Sequence, residues 1–399
     1  MTGALARALR PDTALPVDGT DGALVGRAWV PGHPAGPSVV ALRNGGVYDI
    51  SASAPTMSDL CNDVDPVAVA STQGTPVGSI ADVLANSDEE TRDPAMASFL
   101  APVDLAAVKA SGVTFASSLL ERVIEEQARG DKSAADEIRR RIVELIGDDL
   151  SQIVPGSDAA MALKEHFIAE GAWSQYLEVG IGPDAEIFTK ASPMSAVGTG
   201  ANVGIRRDSS WNNPEPELVM VVSSSGSIIG ASLGNDVNLR DFEGRSALLL
   251  GKAKDNNAAA AIGPFIRLLD DTFTLDHLRD MTIELDLEGT DGFALSGSSL
   301  MSLISRDPED LVAATINRQH QYPDGLVLYA GTMFAPTQDR DRPGEGFTHR
   351  VGDVVSVSSD SLGTLVNTVD YCDVVAPWMF GTSDLMRNLA ARGLLGTTT

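Results

Sequence analysis

The sequence predicts an α+β protein rich in strand, with a smaller N-terminal α/β domain carrying a β-hairpin (residues 1–102) ahead of a larger, mixed-sheet catalytic domain (residues 103–399). Three observations lead there. After about Val179 the chain is crowded with short β-branched runs, ELVMVV, SIIGASL, MTIELDL, LVLYAG, DVVSVS and TLVNTV, punctuated by glycine as an antiparallel or mixed sheet requires. Before them, from about Ser117 to Glu170, apolar residues recur at helical spacing. No internal repeat and no βα alternation occurs, which argues against Rossmann and TIM-barrel architectures.

Element by element, Leu24 to Ile50 reads as strands: LVGRAWV and SVVALR, then Asn44-Gly45-Gly46, then VYDIS. Asn-Gly between apolar runs marks a hairpin, because both central positions of a type I′ turn take positive φ. Met57 to Ala85 reads as mixed, with short helices, and the acidic, small-residue stretch Ser87 to Asp93 as a linker. Ser117 to Arg129 sets Leu120, Val123 and Ile124 on one helical face and stops at Gly130. A second helix, Ser133 to Ile146, repeats the spacing through Ile138, Ile142 and Leu145, and a third runs from Ser157 to Glu170. Arg139-Arg140-Arg141 lies among acids on the second helix and reads as a solvated face rather than an anion site. Helices near Ser298 to Ser305 and Pro308 to His320 interrupt the later strands.

A chain of 399 residues suits two domains better than one, and 43% hydrophobic content supplies an ordinary core. The formal net charge of -26 repels phosphate backbones and anionic lipid, so nucleic acid and membrane are not expected partners. Small anionic substrates stay open, because a bound metal and a few lysines invert the local field. Cys61 and Cys372 have no ligand spacing and read as buried thiols of a reducing compartment. MTGALARALRPD lacks an apolar signal core and no run is long enough for a membrane span, so the expected location is cytoplasmic. His33, His166, His277, His320 and His349 are scattered. Metal chemistry would therefore rest on carboxylates, which favour magnesium, manganese or calcium over zinc.

The chemistry concentrates in NNPEPELVMVV and SIIGASLGNDVNLRD. Glu215 and Glu217 stand two apart at a strand entrance and so share a face. Asp236 ends the next strand, and if the two strands pair as a hairpin the three acids converge. Clustered carboxylates are costly to bury without a cation between them. Spacing alone supports a metal site and a pair of exposed acids with a turn aspartate equally. Lys252 and Lys254, in GKAKDNNAAAAIGPFIR, add an ammonium packed against small residues, where a nearby cation lowers a lysine pKa and makes it a base.

In this order, E-x-E, then G-N-D-x-x-x-R-D, then a lysine ahead of I-G-P-F, the sequence resembles the fumarylacetoacetate hydrolase superfamily. The likeness runs from about Val103 to Val369 and includes Gly331-Thr332 and Gly363-Thr364-Leu365-Val366-Asn367. The resemblance implies a β-roll catalytic domain and magnesium (or manganese or calcium) on Glu215, Glu217 and Asp236. It selects Lys254, eight residues before Ile262, over Lys252, and gives Thr332 a substrate contact. It also places Lys190 and Ser192, in FTKASPMS, beside the pocket, and implies a homo-oligomer, dimer or tetramer. Arg240 reads as a partner of a metal-ligand acid, GTGANVG at Gly198 to Gly204 as a connecting turn, and Trp173, Trp211 and Trp378 as core or interface.

One departure is informative. Many hydrolases and decarboxylases of the superfamily carry G-x-N-Y-x-x-H-x-x-E, whereas Gly112 to Glu121 here keeps the glutamate, Glu121, and has Ser118 at the histidine. Serine has no useful pKa near neutrality, so the His-Glu base for C–C hydrolysis is missing. A metal, a lysine and a lone glutamate resemble the branch that dehydrates 2-keto-3-deoxy sugar acids such as 2-dehydro-3-deoxy-D-arabinonate. That resemblance implies Lys254 as the base at C3, Glu121 as the proton donor to the C4 hydroxyl, Ser118, Ser192 and Thr332 as substrate contacts, and no organic cofactor. The competing expectations are a hydrolase of 2,4-dioxo acids releasing pyruvate and a non-catalytic binder of metal or sugar acid.

Overall fold

The structure, a computed structural model, describes residues 3–128, 137, 153–169, 173–334, 336, 338–341 and 346–395. The helix expected at Ser133 to Ile146 and the Arg139 to Arg141 cluster lie outside them. In the first half of the chain the strands are β1 (Leu24–Val30), β2 (Gly36–Arg43), β3 (Gly46–Asp49), β4 (Thr75–Ser79), β5 (Ser98–Leu100), β6 (Ala107–Gly112) and β7 (Glu186–Ala191). They are followed by β8 (Asn202–Ile205), β9 (Pro216–Val222), β10 (Ile228–Asp236), β11 (Ala260–Leu268) and β12 (Thr282–Glu288). The last are β13 (Ala294–Leu300), β14 (Leu326–Tyr329), β15 (Val354–Ser359) and β16 (Gly363–Tyr371). They make a large mixed sheet in the order β4-β3-β2-β1-β11-β10-β9-β14-β6-β7, with β5 on β1, and a smaller sheet β13-β12-β15-β16-β8.

The expected α+β, strand-rich class holds, and the large sheet is sandwiched between two cores. Along β9 every residue is buried, and the pleat deals alternate side chains to opposite sides. Leu218, Met220 and Val222 join one cluster with Leu285, Val357 and Leu365 of the small sheet. Val219 and Val221 join the other, with Ile262, Val327 and Tyr329. Burying each such aliphatic side chain stabilises by roughly 1.5–3 kcal/mol, so the strand leading out of Glu215 and Glu217 is firmly held.

The N-terminal hairpin forms as expected: β2 and β3 pair through Asn44 and Gly45, at φ 51 and 75. Composition suggests a division at residue 102, but the sheet and its core run across it. β1 pairs antiparallel with β11 (Leu24↔Arg267, Val25↔Ile266), and Val25, Val39 and Ile50 share a core with Val219 and Ile262.

Several local expectations are corrected. Ser87 to Asp93 is no linker: Ser87 and Asp88 are buried, Arg92 donates to the Ser87 carbonyl, and Glu89 accepts from the Asn202 amide. Ser298 to Ser305 is not helical; β13 occupies 294–300 and pairs with β12, and only Met301–Leu303 turns as a 3₁₀ helix. The helix from Pro308 stops at Thr315 rather than His320, where the Asn317 side chain bonds the Ala313 carbonyl and caps the last turn. Helix Ala116–Ala128 begins within a residue of its expected start and buries Val123 and Ile124 against Phe167 and Leu177, while the Leu120 side chain lies outside the described positions. Cys61 is buried but Cys372 only half-buried. Among the described residues no helix is long and apolar enough to cross a membrane.

Candidate active site

The two acid-bearing strands pair as the hairpin the sequence suggests. Gly234 lies opposite Glu217 and Asn235 opposite Pro216, and the Asp236 amide donates to the Glu215 carbonyl at 3.0 Å. One carboxylate oxygen from each of Glu215, Glu217 and Asp236 falls within 4.8 Å of the others, all three side chains buried. Glu217 accepts the Gly331 amide at 2.7 Å. Gly331 has φ 89, and a Cβ there would meet Thr114 Oγ1, so the G-T pair after β14 is a backbone requirement that turns an N–H toward an acid.

Lys254 ends a short helix, Leu250–Lys254, and its ammonium donates to Glu215 Oε2 at 2.5 Å and Asp236 Oδ2 at 3.1 Å. Lys252 instead faces outward over the Phe242 ring. From behind, Lys190 pairs with Asp236 Oδ1 at 2.7 Å. From the side, Arg122 bridges Glu215 at 2.6 Å and Glu243 at 2.7 Å, and Asn238 donates to Glu215 at 3.0 Å. Burial works against the Glu215 charge, but Lys254 and Arg122 outweigh it and hold that carboxyl below the usual range. Burial also opposes the Lys254 charge, yet Asp236 and Glu215 raise its pKa above the ordinary lysine value, opposite to the lowering expected. That expectation presupposed a cation between the acids; here the ammonium itself is the counter-charge.

The donor set fits a hard divalent ion. Glu215 and Asp236 have lysines against them, whereas burial and the charges of Asp236 and Glu215 push the Glu217 carboxyl well up. Its hydrogen bond from Gly331 does not offset two neighbouring anions. A cation among three buried carboxylates relieves that repulsion, and all-oxygen donors suit magnesium, manganese or calcium.

The remaining expected residues make mainly local contacts. Thr332 follows Gly331, and its hydroxyl sits 3.1 Å from Ser299 Oγ and accepts the Phe334 amide. Ser118 donates to the Phe115 carbonyl at 2.9 Å, a local helix-start bond. The Ser192 carbonyl accepts from Ser195 Oγ in the turn after β7. Glu121 pairs with Arg240 at 3.2 Å, and Arg240 stacks on Trp211, so Arg240 serves this acid rather than a member of the triad.

Sequence reasoning missed Glu186. It lies two residues before Phe188 on β7, hence on the same face, and the Lys254 ammonium sits 5.7 Å from the Phe188 ring. Glu186 lies across Gly112 of β6, where a Cβ would meet its Oε2. Burial raises its carboxyl pKa against the opposing fields of Arg122 and Lys254. EIFTK itself carries no local pattern that marks Glu186 as a site residue. Arg122, next to Glu121, was missed because only the packed helix turns it toward Glu215.

A strand-rich α+β sheet with buried acids at the mouth of a central hairpin defines a metal-acid enzyme class, and the chain belongs to the fumarylacetoacetate (FAA) hydrolase C-terminal family, whose profile matches residues 162–370. Within it, the chain is 34% identical over 184 residues to a 2-dehydro-3-deoxy-D-arabinonate dehydratase of Saccharolobus solfataricus, an alignment covering 46% of this chain and 58% of that one. It is 29% identical over 334 residues to a probable 2-keto-3-deoxyxylonate dehydratase of Haloferax volcanii, covering 83% and 94%. Among solved structures, 2-keto-3-deoxy-D-arabinonate dehydratase in its apo form shares the fold at TM-score 0.60 and 23% identity, over 88% of this chain and 99% of that one. The same enzyme complexed with magnesium and 2,5-dioxopentanoate gives TM-score 0.58.

Proposed function

We propose that the protein is a magnesium-dependent hydro-lyase that removes water from a 2-keto-3-deoxy sugar acid of the 2-dehydro-3-deoxy-D-arabinonate type, converting a pentonate to 2,5-dioxopentanoate. The observation that carries this reading is the buried triad Glu215, Glu217 and Asp236 with Lys254 bonded to two of its members. The dehydratase relatives support the substrate class. A divalent ion held by the three acids supplies Lewis acidity toward a 2-oxo carboxylate and so acidifies its C3 protons. With such an ion taking over as the counter-charge of the acids, Lys254 would lose its proton and, as the free amine, remove one of them. The C–H electrons form the C3–C4 double bond as the C4–O bond breaks, and a carboxyl proton completes the departing water. Loss of a C5 proton and return of one to C3 gives the C4–C5 enol, and transfer of its hydroxyl proton to C4 then yields the aldehyde at C5, so the product differs from substrate by one water.

Two carboxyls compete for the donor role. Glu121 is already engaged by the Arg240 guanidinium, whereas Glu186 is a carboxyl whose burial favours the proton, as a general acid requires. Glu186 is the better supported donor, with Glu121 bracing the wall through Arg240. Glu186→Gln is expected to lower kcat by about 10²–10⁴-fold, the usual worth of a general acid, and Glu121→Gln by less than about 10-fold. Steady-state kinetics on both variants check this, and the reverse order would return the role to Glu121.

The reading as a whole is tested by incubating the protein with magnesium and 2-dehydro-3-deoxypentonates and following mass. Loss of one water, suppressed by EDTA and restored by magnesium, is expected. Inertness toward these acids together with cleavage of a 2,4-dioxo acid to pyruvate would overturn it. Thr332, beside the triad, is retained as a substrate contact. A cytoplasmic homo-oligomer is the assembly we favour; Val374, Trp378 and Met379 near the C-terminal end are exposed apolar side chains that self-association could cover.

A further inference from the structure

Lys190 is fully buried, an unusual place for an ammonium, and its environment explains why. β7 pairs antiparallel with β6, but Ala191 lies opposite Val108 and Thr189 opposite Lys109, so Lys190 is an extra residue in a β-bulge. Bulges re-aim a side chain out of the regular alternation. Here the ammonium donates to the Lys254 carbonyl at 2.5 Å and the Val237 carbonyl at 3.2 Å, and forms an ion pair with Asp236 Oδ1 at 2.7 Å. With two carbonyls bonded and a carboxylate paired, the fully buried ammonium has no exposure through which to meet a substrate.

We propose that Lys190 is a positioning residue that bolts the main chain of Lys254 to the carboxylate of Asp236, fixing the base relative to the metal-binding acids. The proposal rests on the dehydratase reading for its substrate but on the bulge and the three contacts for its geometry. The C-terminal end of the short helix Leu250–Lys254 is held by the Asp255 amide on the Gly251 carbonyl and by the buried Lys190 ammonium on the Lys254 carbonyl. A displacement of about 1 Å at a reacting group is enough to cost about 100-fold in rate.

The test uses the full-length protein with Lys190→Met and, as a second variant retaining hydrogen-bond donors without the charge, Lys190→Gln. The first readout is exchange of the C3 protons of 2-oxobutanoate for deuterium in magnesium-containing D₂O, followed by NMR; it requires the base but no leaving group. The second is magnesium affinity by calorimetry, and the third is kcat and KM for dehydration. At a temperature where circular dichroism shows the variant folded, exchange and kcat are expected to fall about 100-fold, with KM changed less than about threefold and magnesium affinity less than about tenfold. In a Lys254→Met background, Lys190→Met should cause no further loss, because both act through one group. Full exchange in a folded variant, or an additive loss in the double variant, overturns the proposal. Wild-type protein that exchanges C3 protons without dehydrating any sugar acid sinks the dehydratase reading and leaves the positioning role standing.

Discussion

Lys254→Met is expected to abolish dehydration, with a loss at or above the upper end of the roughly 10²–10⁴ range that a positioned base contributes, because the other lysine against the acids among the described residues, Lys190, is held by two carbonyls. Its effect on the metal runs the other way. In the protein as folded, the ammonium occupies Glu215 Oε2 and Asp236 Oδ2, oxygens of two proposed ligands. Deleting it removes a competitor and leaves buried carboxylates without their counter-charge, which destabilises the ion-free form. Magnesium should therefore bind at least as tightly to the variant and raise its Tm more than that of wild type. Calorimetry and thermal melts with and without magnesium measure this alongside product formation. An active Lys254→Met protein would remove the base from the mechanism; an inactive one that no longer binds magnesium would make Lys254 part of the ion site.

Asp353→Asn is expected to cost about 3–5 kcal/mol of stability, the loss typical when one member of a buried ionic network is removed. Asp353 is fully buried and receives Arg340 Nη1 and Nη2, both at 2.7 Å, His349 Nδ1 at 3.2 Å and the Arg350 amide at 2.9 Å. These contacts pin the segment that follows Thr332, since His349 also donates its amide to Asn212 beside the acid strand. Burial opposes the Asp353 charge, but Arg340 and His349 prevail and lower its carboxyl to about 2. Such a depressed acid stabilises the fold above its unfolded pKa, and that contribution is lost as pH falls through about 2. Burial also lowers the His349 pKa, so protonating it opposes folding, and stability begins to fall below its ordinary value of 6.5. Urea titrations between pH 7 and 2 should show both steps in wild type, with the histidine step kept and the acid step diminished in Asp353→Asn. An unchanged acid limb in the variant would remove Asp353 as its origin.

What could be read from sequence was local. Glu215, Glu217 and Asp236 were legible because strand alternation and a tight hairpin are short-range rules, and Lys254 because its distance from Ile262 counts along the chain. β11 was hidden by the alanine run 258–261 that leads into it: alanine has no strand signature, and the segment is a strand only because β1 and β10 flank it. β13, read as helix from its serines, owes its form to β12. Glu186 and Arg122 were illegible for the same reason, since a bulged strand pairing and a packed helix bring them to the acids.

The way the sheet is threaded bears on how the chain is made. The acid hairpin closes over neighbouring residues, so it can form as soon as it leaves the ribosome. β1 finds its partner β11 only when residues near 266 have been synthesised, and β6 pairs parallel with β14 only after residue 326. Until then the N-terminal meander carries an open strand edge, the condition that favours mispairing between nascent chains. Such distant pairings also slow folding, because the loop entropy is lost before the contacts that offset it are made. Maturation of the catalytic centre is thus set by completion of the sheet around it rather than by the acids themselves.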